Sequence, residues 1–236
     1  MSEALAAVKR QMIQANAILL QHQVLDGFGH VSARHPERPD RFLLARRKPP
    51  GLVCDDDICE FDLRGETTSA QGAPAFIERY IHSAVYAARP DVGGVVHSHS
   101  PAMVAMGIAQ ANPLRAVCHT CGFLSDGVPL FEIRDVAGDG TDLLVRSREL
   151  GAALAQSLSD ASVVLMRGHG STVVGTSVPH AVYRAVYAEV NARVQTSAAA
   201  FGAVTSLTAA EARAAEATAE LQVGRAWAAW TGDVES

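Results

Sequence analysis

The chain has 236 residues, of which 48% are hydrophobic and 19% charged, so it can bury a sizeable core and is not expected to be disordered as a whole. Its 20 Lys and Arg residues against 25 Asp and Glu residues give a net charge of −5, which excludes the basic excess typical of nucleic-acid-binding proteins. No apolar run approaches the roughly 20 residues of a membrane span, and the four cysteines do not suggest a disulfide scaffold, so we expect a cytoplasmic protein that binds neither membranes nor nucleic acid.

Hydrophobic periodicity and turn residues predict helices that alternate with strands. In chain order, the pattern predicts a helix over 3–23, strands over 41–45 and 59–63, a helix from Pro74 to about Arg89, a strand over 92–97, a helix over 101–108, a strand over 130–133, a helix over 146–158, a strand over 162–166, and helices over 179–201 and 209–230. No repeat or linker interrupts this order. We therefore expect a single domain over residues 1–236, of the α/β class, with helices long enough to cover both faces of a central sheet.

Histidines at strand ends carry the strongest chemical signal. His97 and His99 follow a buried strand, and residues two apart on a strand point to the same side, as a pair of metal ligands does. His169, flanked by two glycines, follows the strand over 162–166; sites in α/β sheets lie at strand ends, although one histidine there is a weak signal. Together the three imidazoles would leave an open coordination position for a substrate.

Glu78 is the candidate catalytic carboxylate, because it stands early in the helix that leads into the His97 strand. Taken alone, its position favours a solvated glutamate that interacts with the positive end of the helix dipole. His82, one turn later, is expected either to orient Glu78 through a hydrogen bond or simply to pack.

Taken together, these residues resemble the class II aldolase/adducin family. The resemblance covers about residues 8–200, with Gly29-His30-Val31-Ser32, Glu78, His97-Ser98-His99 and Gly168-His169-Gly170 in the family's order. It implies a three-layer α/β/α fold with a central β-sheet. It also implies one divalent metal ion per subunit, held by His97, His99 and His169, with Mn²⁺ favoured and Zn²⁺ as the alternative. Glu78 would be the acid/base catalyst and a further candidate ligand. The implied assembly is a homotetramer with active sites near subunit interfaces.

Three segments depart from the family's sugar-phosphate aldolases, in which they would build the phosphate pocket. His30 stands where those enzymes have Asn, Ala45-Arg46-Arg47-Lys48 replaces a small Thr/Ser-Gly turn, and Phe76-Ile77 replaces two serines. Guanidinium groups suit bidentate binding of planar carboxylates, and the apolar pair suits a flat ring. We therefore expect a small aromatic carboxylate as substrate. The residues expected to bind it are His30, Ser32, Arg46, Arg47 and Phe76.

This pattern resembles the family's decarboxylase branch, and most of all the enzymes that remove the 4-carboxylate of 3-hydroxy-2-methylpyridine-4,5-dicarboxylate in vitamin B6 degradation. The resemblance implies a metal-dependent carbon–carbon lyase in which Glu78 mediates protonation of the ring carbon and Arg46 or Arg47 holds the retained carboxylate. The alternative is an aldolase that acts on a non-phosphorylated or aromatic substrate, because it would use the same metal site. A non-catalytic adducin-like interaction protein is less favoured, because such relatives can lose metal ligands that this chain keeps.

Overall fold

The computed structural model describes residues 2–68, 74–109, 111–125 and 127–234. Its strands are β1 (His30–Arg34), β2 (Arg41–Ala45), β3 (Ile58–Asp62), β4 (Gly94–Ser98), β5 (Leu130–Phe131), β6 (Val163–Met166) and β7 (Gly170–Gly175). These strands form one seven-stranded sheet in the order β3-β2-β1-β4-β7-β6-β5. The β5–β6 pair is parallel and every other neighbouring pair is antiparallel, so the sheet is mixed.

The helices begin where capping side chains satisfy free backbone N–H groups. Ser2 accepts from Leu5 at the start of the first helix, and Thr208 forms a reciprocal capping box with Glu211 at the start of the seventh. Within the described ranges the α-helices are α1 (Glu3–Gln21), α2 (Arg79–Ala88), α3 (Pro101–Ile108), α4 (Arg134–Ala137), α5 (Arg148–Leu158), α6 (Val178–Ala199), α7 (Ala209–Glu220) and α8 (Val223–Val234), and the 3₁₀ helices are Pro50–Leu52, Asp55–Asp57 and His119–Leu124. None of the described helices combines the length and the apolar character needed to cross a bilayer.

Two hydrophobic cores, one on each face of the sheet, give the fold its three layers. On one face α1, α3 and α6 pack against the sheet, and on the other α2 and α5 do so. Val96 belongs to the first core and its neighbour Val95 to the second, because successive residues of a strand point to opposite faces. The predicted α/β/α architecture with a central sheet is confirmed.

The strands β1 and β7 were not predicted by the hydrophobic pattern. Both are short and lie inside the sheet, where each pairs with β4 on opposite sides. They therefore flank the strand that carries His97 and bring their own polar residues beside it. His30 on β1 pairs directly with His97.

Two predicted helices differ from the observed ones. The helix predicted from Pro74 begins only at Arg79, because the preceding segment is tied to the loop after β2 by a hydrogen bond from the Arg47 N–H to the Pro74 carbonyl, at 2.7 Å. The helix predicted over 209–230 is divided into α7 and α8. The division directs Trp227 and Trp230 of α8 towards the core on the α1–α6 side of the sheet.

Candidate active site

Three imidazoles and one carboxylate converge at one edge of the sheet. The Nε2 atoms of His97 and His169 lie 3.1 Å and 3.0 Å from the Nε2 atom of His99. The Oε2 atom of Glu78 lies 3.5 Å from Nε2 of His97 and 3.5 Å from Nε2 of His169. The four ligand atoms all lie within 4.8 Å of one another. The structure thus brings together the four residues that the sequence and the family resemblance single out as a metal site.

Backbone geometry at the β6–β7 connection places His169 beside the end of β4. The connection between Met166 and Gly170 is tight, and Gly168 within it has a φ of +67°, in the left-handed region that favours glycine. A Cβ atom on Gly170 would lie 2.0 Å from the Ser98 carbonyl oxygen. Glycine at this position therefore lets the hairpin approach the end of β4 closely enough for His169 to meet His99.

The outer nitrogens of two imidazoles are fixed by backbone carbonyls. His97 Nδ1 donates to the Ser171 carbonyl at 3.1 Å, and His169 Nδ1 donates to the Leu143 carbonyl at 2.8 Å. With its Nδ1 proton held in this way, each ring can turn the lone pair of Nε2 towards the centre of the cluster. Carbonyl-held imidazoles of this kind are typical of metal ligands.

His99 completes the set of nitrogen donors. Burial, followed by the neighbouring imidazoles of His97 and His169, lowers the pKa of His99 to about 4, so its ring is neutral near pH 7. Three converging lone pairs repel one another unless a cation lies between them. The donor set therefore fits a divalent metal ion.

Glu78 is held as an oriented carboxylate. It is the N-terminal cap residue of α2 and is buried, and its Oε1 atom accepts a hydrogen bond from the Val145 N–H at 3.0 Å. Burial alone would raise the pKa of Glu78, but the contacts of its Oε2 atom with the His169 and His97 side chains outweigh it and hold the pKa well below its usual range. The Oε2 atom is therefore anionic and faces the imidazole cluster, where it can bind a metal ion or exchange a proton.

A cavity of about 390 Å³ lies beside the cluster and is large enough for a single aromatic ring with its substituents. Glu78 and His99 form the part of its wall that belongs to the cluster. The remainder of the wall includes apolar side chains, one imidazole and one guanidinium, contributed by Phe28, Phe76, Ile77, Leu144, His30 and Arg47. Three of the five predicted substrate-binding residues thus line the cavity.

The other two predicted substrate-binding residues, Arg46 and Ser32, do not line it. The Arg46 guanidinium forms an ion pair with the fully buried carboxylate of Asp57. Lys48 also binds that carboxylate, through Nζ and Oδ2 at 2.6 Å. Within the described ranges Arg47 has no carboxylate at ion-pair distance, so it is the cation of this segment that remains available to a ligand.

Ser32 belongs to a buried chain of hydrogen bonds behind the cavity. Its Oγ atom lies 2.6 Å from His82 Nδ1 and 2.9 Å from the Tyr86 hydroxyl. His82 Nε2 lies 2.6 Å from His30 Nδ1. His82 therefore contacts His30 and Ser32 rather than Glu78, which the sequence suggested as its hydrogen-bond partner. The sequence feature that could have linked His30 with Ser32 is their spacing of two residues, because alternation along β1 puts both side chains on one face of the sheet.

A sequence profile described as "Class II Aldolase and Adducin N-terminal domain" matches residues 10–196, which is most of the chain. The chain belongs to the class II aldolase/adducin family. Within this family, "Decarboxylase tropJ" of Talaromyces stipitatus is 39% identical over 96% of this chain and 94% of that protein. A "3,4-dihydroxyphthalate decarboxylase" of Arthrobacter keyseri is 32% identical over 77% of this chain and 74% of that protein.

The class II aldolase fold is also found among solved structures. The crystal structure of an aldolase II superfamily protein from Pseudomonas syringae matches with a TM-score of 0.80 and 24% identity, covering 100% of this chain and 94% of that one. The family and the fold expected from the sequence are therefore confirmed, and the chain has relatives named as decarboxylases. The pyridine dicarboxylate remains a prediction.

Proposed function

We propose that the protein is a metal-dependent decarboxylase of a hydroxylated aromatic dicarboxylate. One observation carries this proposal. A single cavity joins an imidazole–carboxylate cluster, apolar walls and the guanidinium of Arg47, which has no carboxylate at ion-pair distance among the described residues. The decarboxylase relatives support it, one of them named for dihydroxyphthalate. Such a substrate presents a flat ring to Phe76 and Ile77 and anionic oxygens to the cluster and the guanidinium.

The proposed substrate is 3-hydroxy-2-methylpyridine-4,5-dicarboxylate, as the sequence pattern suggests. The 3,4-dihydroxyphthalate in the name of the Arthrobacter keyseri relative shares its essential chemistry, namely a hydroxyl group beside one of two adjacent ring carboxylates. Either ring would fit a cavity of about 390 Å³.

In the proposed site, His97, His99 and His169 hold a divalent ion, with Glu78 as a further candidate ligand. We favour Mn²⁺, with Zn²⁺ as the alternative. When bound, such an ion supplies Lewis-acid stabilisation of the negative charge that develops on the substrate as CO₂ leaves. We further propose that residues 1–236 fold as one domain in the cytoplasm and, as the family resemblance implies, form a homotetramer.

The chain's own residues would divide the remaining work. Glu78 Oε2 takes the proton of the ring hydroxyl when the substrate binds, and it returns that proton to the ring carbon after the bond to CO₂ has broken. Arg47 holds the carboxylate that is retained and so fixes the orientation of the ring. Phe76 and Ile77 cover the ring and exclude water, which strengthens each polar contact in the cavity.

The decisive assay measures CO₂ release from each of the two dicarboxylates, with the protein first stripped by a chelator and then reloaded with Mn²⁺ or Zn²⁺. We expect metal-dependent CO₂ release from at least one of them. A carbonyl product from a panel of hydroxy acids, without CO₂, would instead support the aldolase alternative. Absence of turnover on every substrate by the fully metal-loaded protein would support a binding role.

Arg47 and its neighbour Arg46 offer a matched test of the substrate class. Arg47→Lys keeps the charge but loses the planar pair of donors, so we expect KM for the dicarboxylate to rise about tenfold or more with unchanged metal content. The effect should be smaller on an analogue that lacks the retained carboxylate. Arg46→Lys is the control, because its partner is Asp57 rather than the cavity. Equal and wild-type-like KM values in both variants would contradict a dicarboxylate held by Arg47.

A further inference from the structure

In the buried chain of hydrogen bonds behind the cavity, the donor and the acceptor of each contact can be assigned. It links Tyr86, Ser32, His82 and His30 through contacts of 2.9, 2.6 and 2.6 Å. All four side chains are almost completely buried, and His30 also lines the cavity. Each contact allows either atom to donate, so the direction must be found from the ends of the chain.

Tyr86, at the end of the chain away from the cavity, determines which atoms donate. Among the described residues, the acceptor within hydrogen-bond distance of its hydroxyl proton is Ser32 Oγ. A buried hydroxyl that donates to nothing is unfavourable, so Tyr86 donates to Ser32. Within the described part of the chain, the Ser32 hydroxyl then has one remaining acceptor, His82 Nδ1, and donates to it.

The same reasoning assigns the donors in the remaining contacts, from His82 to His30 at the cavity. Because His82 Nδ1 accepts, the proton of this imidazole lies on Nε2, which donates to His30 Nδ1. The proton of His30 is therefore on Nε2, the ring nitrogen that this hydrogen-bond chain does not use, and His30 is one of the residues that line the cavity. Burial, and then the neighbouring His97, lower the pKa of His82 to about 3, in keeping with a neutral ring.

We propose that Tyr86, Ser32 and His82 are positioning residues that present His30 to the substrate as an Nε2–H donor. The role rests on the proposed function, in which the partner of this N–H is a carboxylate or ring oxygen of the substrate. The His30 ring is packed between Phe76 and His97, with centroids 4.6 Å and 5.1 Å away. A donor that carries no charge suits this place, since an imidazolium would repel a metal ion held by His97. A donor fixed before the substrate arrives also costs no reorganisation during the reaction.

The test is the tautomer of two histidines in the folded protein. Solid-state ¹⁵N spectra of histidine-labelled, zinc-loaded protein distinguish protonated from unprotonated ring nitrogens, and zinc keeps the sample diamagnetic. The signals of the two rings are identified by their loss in His30→Asn and His82→Gln. We expect His30 and His82 both to be protonated on Nε2 alone. The opposite direction of the chain would place both protons on Nδ1, and this result would overturn the proposal.

Variants at His82 test whether the arrangement serves the substrate. In His82→Gln the amide can still donate to His30 and accept from Ser32, whereas His82→Phe removes both contacts. We expect the Phe variant to raise KM for the dicarboxylate about tenfold, with a smaller change in kcat, and the Gln variant to restore most of the loss. Equal KM values for the two variants would contradict the positioning role. The tautomers are measured without substrate, so a protein with the expected spectrum and no CO₂ release would refute the proposed function alone.

Discussion

Replacing His97 or His169 with alanine is expected to abolish both metal binding and turnover. Each imidazole provides one of three converging nitrogens, and each is held at Nδ1 by a backbone carbonyl. Loss of an outer hydrogen-bond partner typically weakens metal binding about 10–100-fold, and loss of the ligand itself should exceed that. The measurement is metal content by mass spectrometry after dialysis against a weak chelator, together with kcat.

The matched control for these variants is His119→Ala. His119 is exposed and lies outside the cluster, so its removal should leave metal content and turnover unchanged. Circular dichroism and thermal unfolding establish that each variant is folded. Stoichiometric metal in folded His97→Ala or His169→Ala would exclude the cluster as the metal site.

Local patterns were sufficient to predict much of this cluster. His97 and His99 follow a run of Val residues, and the strand period of two places their imidazoles on one side even though β4 ends at Ser98. His169 was a weaker prediction, because nothing in its own segment indicates that the β6–β7 hairpin folds back to His99. That approach depends on the Ser98 carbonyl lying against the α-carbon of Gly170, which is a contact between distant segments.

Contacts between distant segments also explain why the strand β1 was missed. β1 carries His30 and Ser32 on the face towards α2, so the polar residues that mark a solvent-facing side in most strands are buried here. Their burial is permitted because His82 and Tyr86 supply hydrogen-bond partners from another element. A sequence pattern shows that a polar residue is present but not which distant group will satisfy it.

Arg46 and Arg47 are adjacent residues of the same type, but their side chains have different partners. The sequence indicated two guanidiniums near the substrate without favouring either. In the structure the buried carboxylate of Asp57 takes both Arg46 and Lys48, and the backbone of Arg47 is fixed by Pro74. Buried carboxylates require such partners, so Asp57 determines which cation remains for the cavity.

Glu78→Gln is expected to reduce kcat about 10²–10⁴-fold, the range typical of a lost general acid or base, while the fold is retained. The substitution is nearly isosteric. The amide oxygen can still accept the hydrogen bond from Val145, so the side chain should keep its place at the start of α2. What is lost is the anionic Oε2, which faces His97 and His169 at 3.5 Å and can exchange a proton with the substrate.

Metal content separates the two roles that Glu78 can have. If Glu78 is also a ligand, the Gln variant will need more metal to reach full occupancy, so kcat must be measured at saturating metal. A deficit that persists at full occupancy reports the lost proton transfer, and Glu149→Gln, at an exposed glutamate in the first turn of α5, should show no deficit. Turnover like that of the wild type in the saturated Glu78→Gln variant would remove Glu78 from the chemistry. In that case the proton that reaches the ring carbon would have to come from another group in the cavity, and His30, with its Nε2–H facing the substrate, would be the next residue to replace.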